Sequence, residues 1–201
     1  MTNHPSTQVY ACLLLIIGLI VGGCSMKNHE SYNFKLNEES SQILWKGSAA
    51  DHFHTGSFKI SGEFAAFEDG LIKSGHFNIP IASIENFDLV GPVREQLLTH
   101  LKSIDFFNIE VYPNAKFDLT KIEPLANNNY IITGKLSMLG KSHDITFPAK
   151  ISIFKHSIQV KAKFKLDRTK WGMTHESDPS KPLFIYPEVE LELQITGDKT
   201  N

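Results

Sequence analysis

The sequence predicts an all-β protein of eight antiparallel strands, with one short helix inside a long connection at about 92–102. Three observations carry this. Apolar and polar residues alternate with period two over most of the chain beyond residue 32, as in strands with one face in a core and the other in water. Glycine- and asparagine-containing turns separate several runs, and short connections make sequence neighbours antiparallel. One stretch alone shows helical spacing of its apolar residues.

Three runs show the alternation most clearly. Ser157–Asp167 sets Ile158, Val160, Ala162, Phe164 and Leu166 against Gln159, Lys161, Lys163 and Lys165. His143–Ile153 alternates Ile145, Phe147, Ala149, Ile151 and Ile153 with polar residues. Pro187–Ile195 sets Val189, Leu191, Leu193 and Ile195 against Glu188, Glu190, Glu192 and Gln194. The lysine face of the first suits the glutamate face of the third across adjacent strands. The same test gives strands at Ser41–Ser48, Gly56–Phe67, Leu71–Ile84, Ala115–Glu123 and Asn129–Met138, with a short extra one at Asn33–Leu36. "EDG" (Glu68–Gly70) and "LGKS" (Leu139–Ser142) read as hairpin turns, and "ANNN" (Ala126–Asn129) supplies left-handed turn residues. In "GPVREQLLTHLKS", Pro92 suits a first helical turn. Val93, Leu97, Leu98 and Leu101 then share one face. Two long connections stand out, Glu85–Asn114 and Gly172–Phe184; such connections are usually functional or mobile.

The chain has 201 residues, is 41% hydrophobic and carries a net charge of −2, which suits one globular domain. Lys+Arg at 20 against Asp+Glu at 22 leaves no basic excess for nucleic acid. Residues 1–23 read as a signal peptide with an apolar core at Ala11–Val21, too short for a comfortable membrane span. "VGGC" at its end resembles the lipobox of bacterial lipoproteins. That implies cleavage before Cys24 and lipidation of Cys24, although residues 1–10 lack the usual Lys or Arg. The alternative is an ordinary secretory signal or a short anchor. Ser25 in place of an aspartate points to the outer membrane, facing the periplasm. Residues 24–32 then form a tether, 33–197 the domain and 198–201 a tail. Cys12 and Cys24 are the only cysteines, so no disulfide remains in the domain.

Eight amphipathic strands close either as a sandwich or as a barrel. Strand parity places Gly62, Gly75 and Gly134 on inward faces. Missing side chains there leave room for a ligand; the competing reading makes them bulges and bends that let strands curve.

"HLKSIDFFNIEVYPNAKF" (His100–Phe117), "YIITGKLSMLGKSHDITFPAKI" (Tyr130–Ile151), "KLDRTKWGM" (Lys165–Met173), "WKG" (Trp45–Gly47) and "HTGSFKISGEF" (His54–Phe64) resemble the YceI-like, polyisoprenoid-binding family. The likeness runs from about Asn33 to Ile195. It implies an eight-stranded, lipocalin-like barrel whose apolar cavity holds an isoprenoid chain, as in a polyprenyl phosphate or a quinone tail. The chain is thus expected to be a lipid-anchored periplasmic binding protein for an isoprenoid or similar amphiphile. The alternative is a structural or stress-protective envelope lipoprotein without a ligand of its own. Expected cavity residues are Phe58, Ile60, Phe64, Phe77 and Ile79 from the first half of the barrel. Phe117, Ile132, Leu136, Met138, Phe147, Phe164 and Trp171 follow from the second. Phe106 and Phe107 are expected to plug one barrel end, with plain core packing as the bland reading. Lys102 and Arg168, with Lys170 near them, are candidates for pairing with an anionic head group.

No nucleophile–base pair falls on the inward positions, and no phosphate loop or dinucleotide fingerprint occurs, so no enzyme is expected. "DHFH" puts His52 and His54 on one face, but two imidazoles lack the further ligands a metal site needs, so no metal is expected.

Overall fold

The computed structural model describes Met1, residues 31–67 and residues 72–200. The expected signal peptide, Cys24, the expected tether up to residue 30 and the expected "EDG" turn lie outside the described residues.

Strands β1 (Ser31–Leu36) and β2 (Gln42–Ser48) follow one another along the same partner. Strands β3 (Phe53–Lys59) and β4 (Ser61–Phe67) run back beside them, β3 on β2 and β4 on β1. Next come β5 (Ile72–Pro80), the two-residue β6 (Glu85–Asn86) and helix α1 (Gly91–Lys102). Strands β7 (Asn114–Pro124), β8 (Asn129–Met138), β9 (Lys141–Ile153), β10 (Ser157–Asp167) and β11 (Glu188–Thr200) complete the chain. All pairings are antiparallel, and β1 closes the sheet by pairing with both β4 and β11.

The register explains how the segments make an eight-stranded barrel. β11 pairs with β2 through Glu190–Gln194 and with β1 through Gly197–Thr200. So β1 and β2 are one interrupted stave. The break at 37–41 is stitched by Ser41, whose Oγ donates to the Thr196 carbonyl and accepts from the Thr196 N–H, both at 3.0 Å. β3 and β4 are likewise one stave bent at Ile60. The expected run Gly56–Phe67 is therefore longer at its start and broken in its middle. Gly62, at φ +146°, follows the bend, and a side chain there would collide with the His76 carbonyl.

Three further boundaries differ from the sequence reading. β5 ends at Pro80, and Ile81–Ser83 forms a 3-10 turn rather than strand, because Pro80 and the turn reorient the chain across the barrel end. Ser31 and Tyr32 belong to β1 rather than to a tether. Asp198–Thr200 belong to β11 rather than to a tail, since they pair with Asn33–Lys35. Elsewhere the turn chemistry holds. Asn127 and Asn128 both take φ +60°, Leu139 and Gly140 take +51° and +70°, and Pro92 sits in the first turn of α1. Lysines of β10 face glutamates of β11, with Lys165 Nζ 3.1 Å from Glu188 Oε2.

All the longer connections gather at one end of the barrel: the 81–113 segment with α1, and the 168–187 segment. Among the described residues, the other end has only the short turns 125–128 and 154–156. Buried side chains run the length of the barrel, from Ile158, with no exposed surface, near the short-turn end to Met173 and Phe106 at the other.

Candidate functional site

Two apolar cavities lie in series inside the barrel. The first, about 220 Å³, occupies the end with the long connections and is called the mouth chamber here. The second, about 120 Å³, lies deeper, towards the short turns. Ile43, Ile79, Leu136 and Leu191 border both and form a waist between them.

The deeper chamber is lined by aliphatic and phenylalanine side chains alone. Its wall carries a belt of rings. Phe34 stacks on Phe64 at 5.4 Å, Phe64 meets Phe77 at 6.3 Å, and Phe77 meets Phe117 at 6.2 Å. Phe117 meets Phe147 at 5.9 Å, and Phe147 stacks on Phe164 at 4.2 Å. The belt crosses β8 at Gly134, where a Cβ would clash with the edge of the Phe117 ring and stand 2.7 Å from the Asp118 carbonyl. At Gly75 a Cβ would stand 2.8 Å from the Phe77 ring. These two inward glycines make room for neighbouring aromatic rings, and Gly62 serves the bend. None of the three holds space open for a ligand.

The mouth chamber has a mixed wall. Strands supply Ile43, Trp45, Phe58 and Met138. Helix α1 supplies Leu97 and Leu101, and the turn after it supplies Phe106 and Phe107. Phe107 meets Phe58 edge-on at 5.6 Å, so the "DFF" segment lines this end of the barrel. The 168–187 connection adds Met173, Ile185 and Tyr186. Polar groups reach the rim only through residues such as Ser48, His52, His54 and Arg168. Trp45 Nε1 is buried in this wall without a hydrogen-bond partner.

A carboxylate fastens the rim beside His54. Asp88 Oδ2 lies 2.6 Å from His54 Nδ1, and its Oδ1 accepts from the Thr55 N–H at 2.6 Å and from Asn86 Nδ2 at 2.9 Å. Burial pushes this carboxyl up, but the bonds from His54 and Thr55 outweigh it and hold the Asp88 pKa below the usual value.

Of the expected cavity residues, Phe58, Ile79, Phe106, Phe107, Leu136 and Met138 border the mouth chamber. Ile60, Phe64, Phe77, Phe117, Ile132, Phe147 and Phe164 border the deeper one. Trp171 borders neither. It is 1% exposed, and its Nε1 donates to the Leu136 carbonyl at 3.0 Å, so it is core behind the wall. The wall residues Trp45, Ile43, Leu191 and Leu193 were missed, although the alternation of their strands already turned them inward.

The expected head-group pair is also corrected. Arg168 does reach the mouth, but it is 4% exposed and every donor group is engaged. Its Nε donates to the Tyr186 carbonyl, Nη1 to that of Met173, and Nη2 to those of His175 and Ile185. Burial lowers its pKa, and the nearby Asp167 charge partly offsets this. Arg168 is thus a clamp on the 168–187 connection. Lys102 lies in the last turn of α1, outside both chamber walls. His52 and His54 are near neighbours, with rings 5.2 Å apart, but each pairs through Nδ1 with its own aspartate, Asp51 and Asp88.

Comparison with known proteins agrees with this architecture. A YceI-like domain matches residues 34–197. A UPF0312 protein of Pseudomonas putida is 26% identical over 152 residues, 71% of each chain. A UPF0312 protein of Photorhabdus laumondii is 36% identical over 97 residues, 48% of this chain and 47% of its own. The crystal structure of BcnA from Burkholderia cenocepacia superposes with a TM-score of 0.66 at 19% identity, covering 80% of this chain and 98% of that one. A YceI protein of Campylobacter jejuni gives 0.59 at 17% identity, covering 97% and 100%. At those identities the two structures share the fold. The matched span takes in both chambers and every strand of the barrel but the outer ends of β1 and β11, and the chain belongs to the YceI-like family.

Proposed function

We propose that this chain is a lipid-anchored binding protein of the cell envelope, holding an isoprenoid or similar amphiphilic lipid in its barrel, and that it is not an enzyme. The observation that carries the reading is the pair of apolar chambers joined at a four-residue waist. Neither cavity, at about 220 and 120 Å³, alone reaches the roughly 300–1,000 Å³ of small-molecule sites, but together they do. Two apolar lobes that share wall residues suit a flexible chain better than a rigid disc. Each CH₂ group buried there contributes about 0.8 kcal/mol, so a few isoprene units suffice for firm retention. A quinone or phosphate head would sit at the mouth, where the polar rim lies.

The anchor is the acylated Cys24, and two or more acyl chains give stable attachment where one is marginal. The described chain enters at the end opposite the mouth, since β1 begins there. Attachment by Cys24 to the outer membrane would leave the mouth at the far end of the barrel, in the periplasm. A second reading, a structural envelope barrel without a ligand, draws support from the filled glycine sites at Gly75 and Gly134.

Mass spectrometry of lipids extracted from the natively expressed protein separates the two. The binding reading expects one lipid class at near-stoichiometric yield. If no lipid co-purifies and added prenyl alcohol does not bind, the structural reading stands.

A further inference from the structure

Outside the chambers, the plug that closes the mouth brings three metal-ligating side chains together. We propose that His100, Asp105 and His175 form a binding site for a divalent transition-metal ion, with zinc the best chemical match.

The donor atoms of the three residues lie within 4.8 Å of one another. Asp105 Oδ2 is 3.0 Å from His100 Nε2, and Asp105 Oδ1 is 3.8 Å from His175 Nδ1. Zinc bonds of about 2.0–2.2 Å in tetrahedral geometry place neighbouring donors about 3.3–3.6 Å apart, so modest side-chain rotations bring all three onto one ion. Two imidazoles and one carboxylate suit zinc and its transition-metal neighbours rather than calcium or magnesium, which prefer oxygen. All three side chains are partly exposed, which leaves a path for the ion and room for water to complete its coordination.

The backbone holds the donors in place. The helix stops at Ser103, whose N–H bonds the His100 carbonyl, and Ser103 Oγ accepts from the Asp105 N–H. Asn108, at φ +44°, closes the turn by donating its N–H to the Ser103 carbonyl at 2.7 Å. This folds Asp105 back onto His100, five residues earlier. His175 arrives from the other long connection, fixed by its carbonyl to Arg168 Nη2 at 2.9 Å. The Phe106 ring is a shelf under both imidazoles, 5.1 Å from His100 and 5.4 Å from His175. The two imidazole rings stand edge to face at 4.9 Å. The Arg168 guanidinium lies over the same Phe106 ring at 5.7 Å. A cation between the histidines therefore needs the Asp105 charge as well as its oxygens.

The ligands come from α1, from the turn after it and from the 168–187 connection. One ion would tie together the segments that close the mouth. The site does not depend on what the chambers hold.

The test uses full-length protein without a histidine tag, stripped with chelator. Zn²⁺ is titrated by calorimetry, and Co²⁺ by its visible absorption. The expected result is one saturable equivalent and a higher melting temperature with metal. Affinity should fall about tenfold or more in both His175→Ala and Asp105→Asn, and should be unchanged in His52→Ala. The two variants lie on different segments, so each checks the other against a simple folding defect. No saturable binding by the wild type, or unchanged affinity in either variant, overturns the proposal.

Discussion

In the deeper chamber every wall residue is apolar and all but Ile60 stand on strands. In the mouth chamber about half the wall comes from outside the strands: Ile81 and Ile84, helix α1, the Phe106–Phe107 turn and the 168–187 connection. The belt half is held by burial and ring contact. The mouth half depends on polar fastening, chiefly Arg168 and Asp88. A strand lattice thus fixes one half rigidly, while the other is assembled from segments that have few ladder bonds of their own. Such segments sit at the low end of local stability, where a gate to a cavity has to be.

The largest effect expected from this contrast follows removal of the clamp. Arg168→Ala leaves the carbonyls of Met173, His175, Ile185 and Tyr186 without their donor. An unsatisfied buried polar group costs about 1–3 kcal/mol, so the variant should lose at least about 3 kcal/mol in urea unfolding. Hydrogen exchange should speed up first across 172–187, with β8 and β9 still protected. Uniform loss of protection would mean that the mouth is no weaker than the belt.

Next comes the belt. Gly134→Leu must displace the Phe117 ring and should destabilise by about 1–3 kcal/mol or more. Gly134→Ala should also cost stability, since even one Cβ would clash with that ring and with the Asp118 carbonyl at 2.7 Å. Combining Gly134→Ala with Phe117→Leu should recover part of the loss in a double-mutant cycle. An alanine variant as stable as the wild type would show that the glycine faces empty space after all.

A smaller effect on stability is expected at the mouth wall. Leu97 is half-buried on α1, and Leu97→Trp adds bulk towards the chamber. The stability change should stay within about 1.5 kcal/mol, whereas uptake of a fluorescent prenyl probe should weaken severalfold. Undiminished uptake would mean that ligand does not occupy the mouth.

The smallest is a pH effect at the rim. Asp88 has its folded pKa held below the ordinary value by His54 and Thr55, against the upward push of burial. A carboxyl lowered in this way stabilises the fold above its unfolded pKa of about 3.9 and loses that contribution as pH falls through the folded value. Melting temperatures of the wild type should therefore drop more steeply below about pH 4 than those of Asp88→Asn. Parallel curves would remove Asp88 from the account.

How much the sequence revealed follows the same division. Period-two alternation identified the belt strands and the inward direction of Phe64, Phe77, Phe117, Phe147 and Phe164, because parity along a strand is a local property. It also pointed to the wall residues Trp45 and Leu191, which lie on runs already read as strands. It could not show that Gly134 is filled, since the occupant, Phe117, comes from the neighbouring strand and its ring orientation depends on packing. The mouth was harder still. Arg168 reads as a free surface cation until the chain folds back and offers it four carbonyls. His175 lies 75 residues beyond His100 in the chain and meets it only because the 168–187 connection, held by Arg168, folds back over the end of α1. The adjacent His52 and His54 drew attention because they are close in sequence, yet each is paired with a separate aspartate.

The chain has two tryptophans, and they offer a direct probe of the central claim that an apolar chain occupies the mouth chamber. Trp45 is in the chamber wall, and Trp171 is core behind it. The measurement is fluorescence quenching by a brominated prenyl alcohol in the Trp171→Phe and Trp45→Phe variants. Saturable quenching of Trp45 in the first variant, with Trp171 in the second little affected, is the predicted result. Equal quenching of both residues, or none in either at concentrations that saturate prenyl-binding sites, would contradict a ligand chamber in this barrel.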